Sequence, residues 1–165
     1  MNNNLTRILT ASLLAMAVTH AGARDFSPAP KANLVNARAQ IAAKDWDAAL
    51  EELKRVNDVG SADWNNLMGY TLRKAKTPDL AASEQYYNEA LRIDPEHRGT
   101  LSYSGELYLM KGDLAMAEKR LAALDKICLL PCAEYTELKK SIARYKSDMG
   151  AGKEAPGNSG LSTDY

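Results

Sequence analysis

Apolar residues between positions 30 and 147 return every three or four places, and no stretch alternates apolar with polar over the length of a strand. Ala, Leu, Glu and Lys are abundant there and β-branched residues few, so the pattern predicts helix throughout. The breaks carry helix-capping chemistry. Asp45 precedes "WDAALEELKRV", Ser61 precedes "ADWNNLMGYTLRK", Thr77-Pro78 opens "DLAASEQYYNEALRI", Asp94-Pro95 opens the next segment, and Gly112-Asp113 separates "LSYSGELYLMK" from "LAMAEKRLAALDKI". A side-chain oxygen at such a position satisfies the first free amides of a helix, and proline fits a first turn where its missing N–H is not needed. The pattern therefore gives about seven helices of roughly 11 to 16 residues, arranged as three hairpins and a final helix.

A second regularity lies over the first. Gly69 and Gly105 occupy the same place in "WNNLMGYTL" and "LSYSGELYL". A mid-helix glycine costs about 0.5 to 1 kcal/mol relative to alanine unless a neighbouring helix needs the space. The helix after each glycine offers a small residue and then a large one, Ser83 and Tyr87, then Ala117 and Leu121; Ala37, Ala49 and Leu53 repeat the pattern in the first hairpin.

On these residues the chain resembles the tetratricopeptide repeat family, whose units are pairs of antiparallel helices about 34 residues long. Residues 98–131 match best, through Leu101, Gly105, Tyr108, Ala117 and Leu121. Residues 62–97 match through Met68-Gly69, Tyr87, Ala90 and Pro95, with Trp64 one place early and a lengthened turn at "KAKTPD"; residues 30–61 have Ala37 in place of the glycine. The resemblance implies an all-α fold, a right-handed α-solenoid of about three hairpins, with "AEYTELKKSIARYKSDM" as a C-terminal capping helix that buries Tyr135, Leu138, Ile142 and Tyr145. The wider pattern resembles small exported repeat proteins of Gram-negative bacteria.

The ends of the chain change the picture of where this domain works. Residues 1–23 combine a polar start with Arg7, an apolar run from Ile8 to Val18 and an Ala21-Gly22-Ala23 ending, the composition of a secretory signal peptide. The run falls short of the roughly 20 apolar residues that span a bilayer. Residues 24–30 read as a disordered lead-in, 30–147 as the repeat domain, and 148–165 as a disordered tail. The expected location is periplasmic or secreted, without membrane insertion once the leader is cleaved. The whole chain has 21 basic and 21 acidic residues, and loss of the leader removes only Arg7 among them. A near-neutral balance argues against a nucleic-acid partner, whose binding depends on neutralised phosphates.

Little in the chain offers catalytic chemistry. His97 is the sole histidine after the leader, and it sits beside a predicted helix start as a surface or structural residue. There is no phosphate-cradling glycine loop and no histidine pair spaced for a metal. Met68, Met110 and Met116 fall at apolar or groove-facing helical spacing and Met149 in the tail, so packing accounts for them better than a soft metal. No enzyme activity, cofactor or metal is expected.

Cys128 and Cys132 are the only cysteines, and in an exported chain a disulfide is their first reading. A spacing of four around Pro131 allows α-carbons about 5 to 6 Å apart. So short a loop contributes only about 2 kcal/mol, fixing the angle between the cap and the last repeat. A redox or metal-handling accessory built on this pair is the alternative function, and a structural subunit of an envelope assembly is another.

The resemblance places the binding surface in a groove lined by the first helix of each hairpin. The residues it assigns there are Arg38 and Ile41, then Asn66, Tyr70 and Arg73, then Ser102, Glu106, Leu109 and Met110. Arg38, Asn66 and Arg73 offer donors for a carboxylate or a peptide backbone, although Leu34 stands where such a clamp needs a polar residue. The expected function is an adaptor that holds a protein or peptide partner in this groove.

Overall fold

The computed structural model describes residues 34–151. These form seven helices, α1 (Val35–Ala42), α2 (Trp46–Val56), α3 (Ala62–Lys74), α4 (Leu80–Ile93), α5 (Arg98–Met110), α6 (Leu114–Ile127) and α7 (Ala133–Gly150), and there is no strand among the described residues. The expected leader (1–23) and lead-in (24–30), and most of the expected tail (148–165), lie outside the described residues. Helix α7 continues to Gly150, three residues past the domain boundary expected at 147.

Cap chemistry sets most of the boundaries. Asp45, Ser61 and Asp113 accept from the backbone N–H groups of Ala48, Trp64 and Met116, as their positions in the sequence imply. Two starts differ. Asp79, rather than Thr77-Pro78, caps α4 through Ala82, and His97, rather than Asp94-Pro95, caps α5 through Thr100. Asp94 instead ends α4, and its carboxylate takes the Glu96 N–H at 3.0 Å, closing the proline turn before α5 can begin. The capping aspartates 45, 79 and 113 follow one another at intervals of 34 residues. The same interval separates Ala49, Ser83 and Ala117, all fully buried. At Gly112 the chain passes through φ +78° to turn from α5 into α6, a conformation that suits a residue without Cβ.

Helix α1 packs against α2, α3 against α4, and α5 against both α6 and α7, with α2–α3 and α4–α5 contacts joining the pairs. One apolar cluster centres on Leu34, Ala37, Leu53, Trp64, Leu67 and Met68. A second gathers Leu101, Tyr108, Leu109, Ala117, Leu124 and the α7 residues Leu138, Ile142 and Tyr145, with Tyr135 half-buried at its margin.

The two mid-helix glycines mark close helix approaches, with different neighbours. A Cβ at Gly69 would lie 2.7 Å from the fully buried Tyr87 ring, and the Ser83 hydroxyl donates to the Gly69 carbonyl at 2.7 Å. A Cβ at Gly105 would lie 2.6 Å from Leu138, a residue of α7. The expected filler, Leu121 of α6, is only partly buried at the edge of the cluster. The space at Gly105 therefore seats the final helix.

Candidate functional site

The helices α1, α3 and α5 place their polar residues in two linked groups. In the first, the Asp63 carboxylate receives Arg38 at 3.1 Å and the ring Nε2 of His97 at 3.2 Å, joining three helices at one point. The other ring nitrogen of His97 accepts from the Thr100 backbone N–H at 3.1 Å, and the Thr100 hydroxyl donates to Asn66 Oδ1 at 3.1 Å. Burial pushes the Asp63 carboxyl up, but the His97 hydrogen bond and the Arg38 charge outweigh it, so its pKa lies below the ordinary aspartate value. Carboxylate, imidazole and hydroxyl stand here in the order of a nucleophilic triad. Thr100, however, is fully buried, and has no surface on which to meet a substrate.

The second group surrounds Arg73. Its guanidinium pairs with Glu106 at 2.7 Å, lies 3.9 Å from the sulfur of Met110, and stacks against the rings of Tyr70 and Tyr103 at 5.5 and 5.9 Å. Only 5% of Arg73 is exposed. Burial works against its charge, yet the facing Tyr87 phenol and the Glu106 carboxylate overcome this and hold its pKa above the usual guanidinium value. Its Nε and the Tyr87 hydroxyl are both buried without a hydrogen-bond partner. Tyr87 in turn is pushed up to about 12, chiefly by burial.

Along this face the rings form a row. Tyr70 packs on Tyr103 with centroids 4.6 Å apart, and Trp46, from the start of α2, meets Tyr70 edge-on at 6.2 Å. All three rings are half-exposed. Burial raises the pKa of Tyr70 and Tyr103 alike, so both phenols are neutral donors at physiological pH. Beside Trp46 opens a depression of about 280 Å³, walled by Lys44, Asp45, Asp47 and Lys76. Lys74 lies close by, its pKa lowered by burial and then by the neighbouring Arg73 charge.

The residues assigned to a groove by resemblance thus separate. Tyr70, Glu106 and Met110 are half-exposed on the face just described, and Arg38 is well exposed and paired to Asp63. Ile41 is half-buried at the margin of the first core cluster. Four others are buried. Leu109 belongs to the second core, because α5 is enclosed by α6 and α7 and leaves only a narrow strip uncovered. Ser102 donates to the Glu134 carbonyl, at the α5–α7 contact. Asn66 is held by Thr100 and Arg73 by Glu106, so these two are internal crosslinks between α3 and α5 instead of free donors, and the three-donor clamp is not assembled. Leu34 is buried in the first cluster.

Sequence reading missed Trp46, Tyr103 and Asp63. Tyr70 and Tyr103 are 33 residues apart, close to the 34-residue interval of the capping aspartates, and that spacing was the available signal. Asp63 and His97, separated by 34, gave the same one. Among the described residues no three His, Cys, Asp or Glu side chains converge as a metal site, and no helix is long and apolar enough to cross a membrane. Cys128 and Cys132 are joined as a disulfide, with α-carbons 5.8 Å apart. Compared with known protein families and with curated proteins, the chain matches no family model and no curated sequence.

Proposed function

We propose that this chain is an exported adaptor of the tetratricopeptide type, a right-handed solenoid of three hairpins and a cap, which holds an extended protein or peptide segment along the strip formed by α1, α3 and α5. The observation that carries this reading is the row Trp46, Tyr70, Tyr103, three half-exposed rings drawn from successive hairpins and fixed in place by ring–ring contact and by Arg73. Aromatic rings have few rotatable bonds and much area, so they give contact surface at small entropic cost. The polar rim beside them, Glu106, Lys44, Lys76 and the neutral phenols, supplies groups that a peptide backbone can pair with.

The 34-residue recurrence of capping aspartates and buried small residues supports the repeat architecture. The disulfide supports an oxidising compartment outside the cytosol. The buried hydroxyl of Thr100 favours a non-catalytic role for the Asp63–His97 pair, which locks α3 to α5.

The test removes two rings that the core does not need. Trp46→Ala with Tyr103→Ala is expected to abolish co-purification of a partner that the parent protein retains, with helicity by circular dichroism unchanged. Undiminished binding by a well-folded double variant would place the site elsewhere.

A further inference from the structure

The loop between α6 and α7 joins two cysteines packed at the margin of the second core to two leucines that the core and the aromatic strip leave uncovered. Cys128 ends α6, Cys132 is the residue before the first turn of α7, and both are half-buried. Between them Leu129 is 99% exposed and Leu130 80%, the two most exposed large apolar side chains among the described residues. A single exposed leucine needs no explanation. Two together, in a loop closed by a disulfide, form an exposed apolar patch between the two cysteines.

As a staple, this crosslink is redundant. Helix α7 is already anchored by Leu138 against Gly105 and by Ile142 and Tyr145 in the second core. Opening the disulfide is therefore expected to leave the fold standing. The two sulfurs are also unequal as leaving groups. Cys132 lies at the N-terminus of an 18-residue helix, where free amides and the helix dipole favour a thiolate; Cys128 lies at the C-terminus of α6, where they oppose one. The thiol of lower pKa leaves faster.

We propose that the Cys128–Cys132 disulfide is a thiol–disulfide exchange site whose substrate is a dithiol protein, and that Leu129 and Leu130 seat an apolar surface of that protein beside its reactive thiol. The partner's thiolate bonds to Cys128 Sγ, the Cys128–Cys132 bond breaks, and its electron pair goes to Cys132 Sγ, which then takes a proton. The partner's second thiol loses its proton and attacks the mixed disulfide, releasing Cys128 as a thiolate that is protonated in turn. Two electrons and two protons pass to this chain, and the partner dithiol becomes a disulfide. The choice of occupant follows from placement, since the exposed leucines are the residues that directly follow Cys128 in the loop the disulfide closes.

The experiment follows thiol formation in the oxidised full chain by alkylation and mass spectrometry, with a thioredoxin-type dithiol protein and separately with dithiothreitol. Leu129→Ser with Leu130→Ser is expected to slow the reaction with the dithiol protein by about tenfold, as loss of an apolar anchor does. The rate with dithiothreitol should stay within about twofold. A reductase lacking its resolving cysteine should be trapped on Cys128, and the reduced chain should keep its helicity. No reduction by the dithiol protein, equal rates for the two forms, or trapping on Cys132 would overturn the proposal.

Discussion

At Arg73 a cation lies beneath two tyrosine rings with one carboxylate, Glu106, in reach, and only 5% of the residue meets water. Removing Glu106 leaves the buried Arg73 charge uncompensated. Glu106→Ala is therefore expected to lower stability by about 3 to 5 kcal/mol, whereas Arg73→Met with Glu106→Leu restores most of that loss. Urea unfolding of the two variants checks this, and equal losses would show that the unpaired charge is not what makes Glu106→Ala costly. A charge reversal at Arg73 for the same reason tests folding, not binding. The residue was legible as helical and as near the strip. Its partner was not, because Glu106 is 33 residues away and the meeting depends on how one hairpin seats on the next. Trp46 was hidden similarly, since it begins a second helix and reaches the strip by folding over the turn at 43–45.

At the scale of elements, helix identity followed from apolar spacing, and the starts of α2, α3 and α6 from Asp45, Ser61 and Asp113. The starts of α4 and α5 did not, because Thr77 and Asp94, each followed by a proline, offer competing caps and the turn geometry decides between them. The role of Gly105 was read correctly as close packing but assigned to the wrong helix, since a glycine says that something approaches and not what. Contacts between hairpins give these elements a pH dependence. Asp63 bridges α1, α3 and α5, and its folded pKa is depressed below the unfolded one. Its contribution is thus fully present above the unfolded pKa of about 3.9 and is lost as pH falls through the folded value. With its side chain 55% exposed, screening limits the effect to about 1 kcal/mol or less. Asp63→Asn should be slightly less stable than the parent near neutral pH and indistinguishable from it once the parent carboxyl is protonated, as thermal unfolding across acid pH will show. A difference that persists in acid would assign the loss to packing.

Across the molecule as a whole, the two sets of helices differ in what they present. The strip of α3 and α5, extended by Trp46 at the start of α2, carries three packed rings, while α4 and α6 expose Gln85, Asn88, Arg92, Glu118, Lys119 and Ala122, with no aromatic ring among them. An adaptor that grips a chain along the strip must touch its partner there and not across the exposed faces of α4 and α6. The direct measurement is site-specific photocrosslinking in the cell that expresses the protein, with a benzoylphenylalanine placed in turn at Tyr70, Tyr103, Asn88 and Ala122. The account predicts that positions 70 and 103 capture the same protein while 88 and 122 capture none. Silence at 70 and 103, or the same capture from all four positions, would contradict it.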